Sequence, residues 1–524
     1  MRPQSCLLAL AVALLAVACG CAQAQPADPT PAHSRLGINL SGPNDWNSEL
    51  PFVDVFRLSR QWISQRQGEA WGKGPELKRD ANGWITQLEP NCWADTPMCT
   101  IKGGHFPKGR YTCLYDGQGK IEFWSPGQVV TQEPGRIVFE VAPTAEVIWL
   151  RLRETNPQDY VRNIRVIMPG FEATYQQEPF HPVFLARWRS MNTIRFMQCM
   201  RIDDDAPGMW ADRPTPQYCN FTERGWPVEV MVDLCNRLKA NPWFSLPHTA
   251  DDDYVRQFAQ YVNAHLDPSL KVYVEYSNEV WNSLFSQCKY AQQKGQELGL
   301  GAKERPWEGG GMYYSRRSLE VFALWQDVYG GRSRLVRVLA WQAVNPWWME
   351  HIILPTDDAY AHADAIAIAP YFGPLVPPVS AESRPGADQV VNWSVDQLLD
   401  YVEQTTLPQA IEAVKQQRVI AERFGLKLVA YEAGQHLVGL GAAENNDQLT
   451  ALFTLANRNP RMGALYTKYL DAWKAAGGEL ICIFASINQW GKYGSWGLAE
   501  YYDETENDQP KLKAVMDWMR NNPR

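Results

Sequence analysis

Two stretches carry a glutamate to the place where a strand should end. VYVEYSNEVWN, residues 272–282, reads as a strand up to about Ser277 and then presents Asn278 and Glu279; KLVAYEAG, residues 427–434, likewise presents Glu432. A strand buries its middle and offers its tip, so a carboxylate at the tip is available for chemistry. Two such carboxylates on different strands suit the splitting of a glycosidic bond. One protonates the departing oxygen, and the other attacks, or activates water at, the anomeric carbon. Glu279 alone also fits a charge at the N-terminus of the segment that follows. Side-chain alternation puts Glu275, Ser277 and Glu279 on one face of their strand and Leu428, Ala430 and Glu432 on one face of theirs. By the same alternation Tyr431 should point away from the interior and serve as packing.

Placing these tips requires a frame. From Phe180 onward helix-like and strand-like runs alternate: TIRFMQC, NPWFSLPH, KVYVEYSNE, RLVRVLAWQ, ADAIAIAPYF, KLVAYEAG and ELICIFASINQW are separated by long helical patterns. With RLGINLSG near the start they make eight short, nearly continuous apolar strands, the pattern of a parallel sheet buried on both faces. Eight such units predict an α/β fold, a (β/α)8 TIM barrel formed by residues 34–63 and 171–524. Between them, residues 64–170 change texture to alternating runs such as RYTCLYDG, KIEFW, RIVFEV and VIWLRLRE, broken by Gly, Pro, Asn and Asp. That texture predicts a β-sandwich domain inserted after the first barrel strand, there either to bind sugar or to pack on its neighbour.

Catalysis in such barrels sits at the C-terminal strand ends. Those ends read Asn39, Arg195, His248, Asn278 with Glu279, Trp341 with Gln342, Tyr371, Glu432 and Trp490. Ala365, Ala367, Ala369 and Tyr371 share a face, with small residues leaving room beneath the tyrosine. Two acidic runs, Asp203-Asp204-Asp205 and Asp251-Asp252-Asp253, read as solvated loops carrying helix N-caps, with a calcium ion or a polar substrate as the alternative.

Composition narrows the partners. The 524 residues include 22 Trp and 22 Tyr, flat rings of the kind that bind sugar faces or fill a large core. A net charge of −8 leaves no basic excess for nucleic acid. Residues 1–24 read as an export signal: Arg2 precedes an apolar run too short for a confident membrane span. Ala22-Gln23-Ala24 is a site for ordinary cleavage, whereas Ala16-Val17-Ala18-Cys19 resembles a bacterial lipobox that would leave a lipid anchor on Cys19. The chain is therefore expected to be secreted, periplasmic or a cell-surface lipoprotein. Outside the leader stand eight cysteines, an even set that permits disulfides, with Cys92 and Cys99 as a local pair. No C-x-x-C or His/Cys cluster suggests structural zinc, and neither metal nor cofactor is expected.

The order from Arg195 on strand two, through Asn278-Glu279 on strand four and Tyr371 on strand six, to Glu432 on strand seven and Trp490 on strand eight resembles the clan of retaining (β/α)8 glycoside hydrolases, clan A, of which family 5 is the best-known member. The resemblance covers roughly residues 34–50 and 180–524. It implies a retaining hydrolase of β-linked poly- or oligosaccharides, β-glucan or mannan-like, with Glu279 as acid/base and Glu432 as nucleophile. It also implies that Asn278 binds the sugar 2-hydroxyl, that Arg195 and Tyr371 hold Glu432 ionised, and that Glu275 supports from below. Trp490 is implied as the platform under the sugar, with Trp341 and Trp496 either at flanking subsites or in the core, and His248 either on substrate or a catalytic carboxylate or as a structural residue. Strand seven departs from the family 5 pattern, since YEAGQH lacks the Trp or Phe-Gly near the nucleophile. The competing reading is a carbohydrate-binding protein that keeps the barrel without catalysis.

Overall fold

The computed structural model describes residues 34–124, 128–204 and 206–523. The leader, with both of its processing sites, lies outside the described residues, as does Asp205.

Eight parallel strands close into a barrel in chain order: β1 (Leu36–Asn39), β2 (Thr193–Arg195), β3 (Asn241–Leu246), β4 (Val272–Tyr276), β5 (Leu335–Ala340), β6 (Ala365–Ile368), β7 (Lys427–Ala430) and β8 (Ile481–Ile483). Each lies within the segment expected for it. The chain is thus a (β/α)8 barrel. β1 pairs with β2 and also with β8, which closes the ring.

Apolar side chains sort to two sides of this ring. Leu36, Ile38, Ile194, Phe244, Val274, Leu339, Ile366, Leu428 and Ile481 join the large outer cluster beneath the helices. A smaller inner cluster holds Trp243, Tyr273, Val338, Ala365, Ala367, Val429, Tyr431 and Cys482. Gly37 belongs to this inner layer because a Cβ there would stand 2.6 Å from the Cys482 sulfur and 3.0 Å from the Thr193 carbonyl oxygen. The helices that cover the ring include Val228–Leu238, Asp252–His265, Pro306–Tyr329, Leu407–Arg423, Pro460–Ala475 and Pro510–Asn521. Asp251 caps its helix through the Tyr254 amide at 2.7 Å, as the acidic run suggested. Among the described residues no helix is long and apolar enough to cross a membrane.

Between β1 and β2 the chain forms two four-stranded antiparallel sheets. The first runs in the order Ile63–Arg66, Cys92–Met98, Ile148–Thr155, Gly119–Phe123; the second runs Arg162–Ile167, Gly109–Asp116, Arg136–Val141, Val129–Glu133. One buried cluster draws on both, with Ala94, Ile121, Ile148 and Leu150 from the first and Tyr111, Ile137 and Phe139 from the second. This segment also braces the loop that follows β8. The Lys102 amide donates to Gln489 at 2.9 Å, and the His105 ring stacks on Tyr501 at 3.8 Å.

The cysteines correct one expectation. All eight described cysteines are unpaired and buried. Cys92 begins a continuous strand that ends at Met98, so Cys99 lies at its far end. Seven extended residues span roughly 23 Å, several times the Cα separation of about 6 Å that a disulfide tolerates.

Candidate active site

The site is built on one guanidinium. Arg195, the last residue of β2, is fully buried and points into the barrel. Its Nη1 donates to Asn39 Oδ1 at 3.0 Å and to Glu432 Oε1 at 2.9 Å. Its Nη2 donates to Glu275 Oε2 at 3.0 Å and to Asn278 Oδ1 at 2.8 Å. The fork thus ties β1, β2, the β4 end and Glu432, two residues past β7, together through one set of hydrogen bonds, a task for which a guanidinium's fixed donors are suited. Burial opposes its charge, but Glu275 and Glu432 outweigh that and hold it above the ordinary arginine value. Glu275 is a supporting group here: its Oε2 also accepts from Trp243 at 2.8 Å and Ser245 at 3.1 Å.

The end of β4 is bent to bring two consecutive residues to the site. After Tyr276 the backbone turns left-handed at Ser277 (φ 60°) and again at Glu279 (φ 41°). Non-glycine residues adopt this conformation at a cost of ~1–3 kcal/mol each, and such strain collects at functional sites. Asn278 is buried, its amide nitrogen donating to Asp203 at 3.1 and 3.2 Å. Glu279 is half-buried; its Oε2 accepts from Asn282 at 2.9 Å and its Oε1 from the Tyr431 hydroxyl at 3.1 Å.

Glu432 has a different environment. Oε1 accepts from Arg195, and Oε2 accepts from the Tyr371 hydroxyl at 2.8 Å. Burial raises both glutamates. For Glu432 the Arg195 charge and the Tyr371 and Arg195 hydrogen bonds pull in the opposite direction. Glu279 is pushed up to about 8, first by burial and then by the charge of Glu432, with only the Asn282 and Tyr431 hydrogen bonds in its favour. The proton left on this pair near neutral pH therefore resides on Glu279, and Glu432 is the anion.

The alternation expected along β7 holds, but with its two faces exchanged. Leu428 and Ala430 face the outer cluster, while Val429 and Tyr431 belong to the inner one. The alternation runs on through Tyr431 and breaks only at Glu432, in the bend after Ala430, so both residues reach the site. Tyr431 is accordingly an inward hydrogen-bond donor to Glu279 and not outer packing.

The aromatic residues divide. Trp490 lies seven residues beyond β8, half-buried, with its indole nitrogen donating to the Gly497 carbonyl at 3.1 Å and the Lys511 ammonium 4.1 Å from its ring centre. With Trp46, Tyr493 and Trp496 it lines a cleft of about 720 Å³ that Asp203 also borders. Trp341 is instead buried in the outer cluster, its ring 5.4 Å from Tyr314 and 5.5 Å from Trp348, the core placement that was one of the two expected for it. His248, just past β3, is buried with its ring edge-on to Tyr290 at 5.1 Å. His436 packs edge-on against Tyr371 at 4.8 Å and Trp496 at 4.5 Å, and burial pushes its pKa down to about 4.

Three site residues escaped sequence reasoning. Asp203 was assigned to a solvated loop, yet the short turn Ile202–Asp204 directs it onto Asn278 and Gln287, and burial raises it to about 6. Nothing local in an Asp-Asp-Asp run distinguishes it. Gln287 likewise gave no signal. Asn282 was visible in principle, since it follows Glu279 by three residues and the Asn282 amide donates back to the Glu279 carbonyl across a turn. Among the described residues no group of three or more His, Cys, Asp or Glu is placed to hold a metal ion.

No protein-family model matches the chain, and no curated protein matches it. Solved structures do. Xylanase 10C from Cellvibrio japonicus, in complex with xylopentaose, aligns over 88% of this chain and 98% of its own at 10% identity and a TM-score of 0.37. A family 5 xyloglucanase from Paenibacillus pabuli aligns over 66% and 93%, at 13% identity and TM-score 0.37. A Bacteroidetes-affiliated family 5 cellulase aligns over 64% and 84%, at 11% identity and TM-score 0.36. Likenesses this distant carry no argument about activity, which has to rest on the site.

Proposed function

We propose that the chain is an exported glycoside hydrolase that cleaves β-glycosidic bonds of a polysaccharide or oligosaccharide, β-glucan or mannan-like, by double displacement. The observation that carries this reading is the asymmetry of the two strand-end carboxyls. Glu432 is held by Arg195 and Tyr371, whereas Glu279 has no cation among its hydrogen-bond partners and keeps its proton up to about pH 8. Environments that drive two carboxyls apart are what assign one as acid and the other as nucleophile.

In the first step a Glu432 oxygen attacks the anomeric carbon while Glu279 gives its proton to the glycosidic oxygen. The C–O bond breaks, and a glycosyl ester of Glu432 forms. In the second step ionised Glu279 takes a proton from water, whose oxygen attacks the same carbon and releases Glu432. Two inversions leave the anomeric configuration unchanged. In this reading Asn278, one end held by Arg195 and the other by Asp203, binds the sugar 2-hydroxyl. The cleft with Trp46, Trp490, Tyr493 and Trp496 gives sugar rings flat apolar faces to lie against. Export, and release or lipid anchoring at Cys19, rest on the leader sequence alone. The reading of residues 64–170 as an inserted sandwich rests on the two sheets and their common cluster.

The test is a panel of plant, fungal and bacterial glycans incubated with the wild type and with Glu432→Ala. Cleavage of at least one β-linked glycan by the wild type, lost in the variant, is expected. Equal cleavage by both would remove Glu432 from its role, and no cleavage of any glycan would favour a binding protein.

A further inference from the structure

The solvent face of the first inserted sheet is built unlike an ordinary polar surface. On its central strand Ile148, Leu150 and Leu152 point into the buried cluster, so Trp149, Arg151 and Arg153 point outward. Across the neighbouring strands they meet Trp124 on one side and Asp95 and Trp93 on the other. Trp124 and Trp149 lie 5.8 Å apart with their planes within 26°, and Trp71 closes on Trp149 edge-on at 5.5 Å. Trp71 is 53% exposed and Trp124 46%. Contiguous exposed rings of this kind mark interaction surfaces.

Each cation on this face already has a carboxylate partner, with Glu122 shared between two of them. Arg151 makes a two-pronged bond to buried Asp95 at 2.7 and 3.0 Å while its guanidinium sits 4.4 Å from the Trp124 ring centre and 4.8 Å from that of Trp93. Arg153 pairs with Glu122 at 3.0 Å and lies 4.6 Å from the Trp93 ring centre. Glu122 also pairs with Lys120 at 2.9 Å. Arg151 is therefore held between two indoles and Arg153 against one, each guanidinium paired with a carboxylate and its hydrogen-bonding edges fixed. A polyanion would need unpaired cations, and an apolar peptide would gain nothing from the interleaved carboxylates. A neutral pyranose chain uses both features: its C–H faces lie on indoles, and its hydroxyls bond to fixed guanidinium and carboxylate edges. A cleft of about 450 Å³ lined by Trp124, Arg151, Glu122, Lys120 and Gln132 continues the surface.

We propose that this face, with Trp71, Trp93, Trp124 and Trp149 set around Arg151 and Arg153, is a second glycan-binding surface, separate from the barrel mouth and selective for a neutral polysaccharide. It does not depend on the barrel being catalytic.

The experiment uses the full chain carrying Glu432→Gln, so that any bound glycan stays intact. Its mobility is measured in native gels containing hydroxyethylcellulose, glucomannan or xyloglucan, with an acidic polysaccharide and DNA as contrasts. Retardation by at least one neutral glycan is expected, weakened about tenfold or more in Trp124→Ala/Trp149→Ala. In the Glu432 background turnover is silent, so the double substitution is also made in the wild type, where hydrolysis of short soluble substrates should be unchanged. Should the double variant melt early, indole oxidation of the parent chain decides: glycan should protect Trp71 and Trp124. Unaltered retardation in the double variant, no protection, no retardation by any neutral glycan, or stronger retardation by the acidic polysaccharide or DNA would each overturn the proposal.

Discussion

The Tyr431 hydroxyl donates to Glu279 at 3.1 Å, and the very next residue, Glu432, is held by Arg195 at 2.9 Å. One bend after β7 thus supplies a hydrogen bond to the protonated carboxyl and presents the ionised one. The two carboxyls are coupled through adjacent residues as well as through space, and the experiments below follow from that coupling.

Glu279 gives the fold a pH-dependent term of known sign. Its folded pKa of about 8 lies above the unfolded value of 4.5, so the fold retains a proton that the unfolded chain releases. Its stabilising contribution is full below about pH 4.5 and is lost as pH rises through 8. Glu279→Gln, which cannot ionise, should match the wild-type melting temperature near about pH 5 and exceed it by on the order of a few degrees near about pH 9. A gap that closes with rising pH would contradict the assignment.

In activity, the alkaline limb of the wild-type profile should fall near pH 8, where Glu279 loses its proton. Glu279→Ala should lose about 10²–10⁴-fold on substrates with poor leaving groups and far less on activated aryl glycosides, with azide restoring turnover of the latter. Tyr431→Phe removes a hydrogen bond that favours ionised Glu279, so the alkaline limb should shift to higher pH while the fold is retained. A shift to lower pH would assign Tyr431 another role.

Removing Arg195 should be costly even before catalysis is measured. Arg195→Met leaves buried Glu275 and Glu432 without their cation, and breaking a buried pair from one side costs about 3–5 kcal/mol. Arg195→Lys keeps a charge but not the fork that reaches Asn39, Glu275, Asn278 and Glu432, so it should recover only part of the loss. Chemical denaturation measures both.

The eight described cysteines should all alkylate in denaturant without reductant, and Cys92→Ser with Cys99→Ser should leave the melting point unmoved by reductant. Intact mass counts the labels; a pair that resists labelling until reduced would contradict the unpaired state.

The barrel was legible because its strands are buried on both faces and read as short apolar runs, a signal that needs no partner residue. Strand tips were legible for the same reason: Glu279 and Glu432 interrupt those runs. What the local pattern misjudged lies just past the tips. Placing Glu432 on one inward face with Leu428 and Ala430 turns Tyr431 outward, whereas those two residues face the helices, Tyr431 continues the inward face of Val429, and only Glu432 departs from period two. Asp203 was assigned to solvent because its inward turn depends on Asn278 and Gln287, residues far along the chain. The Cys92/Cys99 pair failed in the same manner: two thiols seven apart carry no record of which way the neighbouring backbone runs.

The central claim is that Glu432 is the nucleophile of a double displacement. It is tested most directly by incubating the enzyme with an activated 2-deoxy-2-fluoro glycoside of the sugar identified in the glycan panel and sequencing the labelled peptide by mass spectrometry. A single glycosyl group on Glu432, absent in Glu432→Gln and accompanied by retained anomeric configuration in the products, is expected. An adduct on another carboxylate, or turnover with inversion, would contradict it.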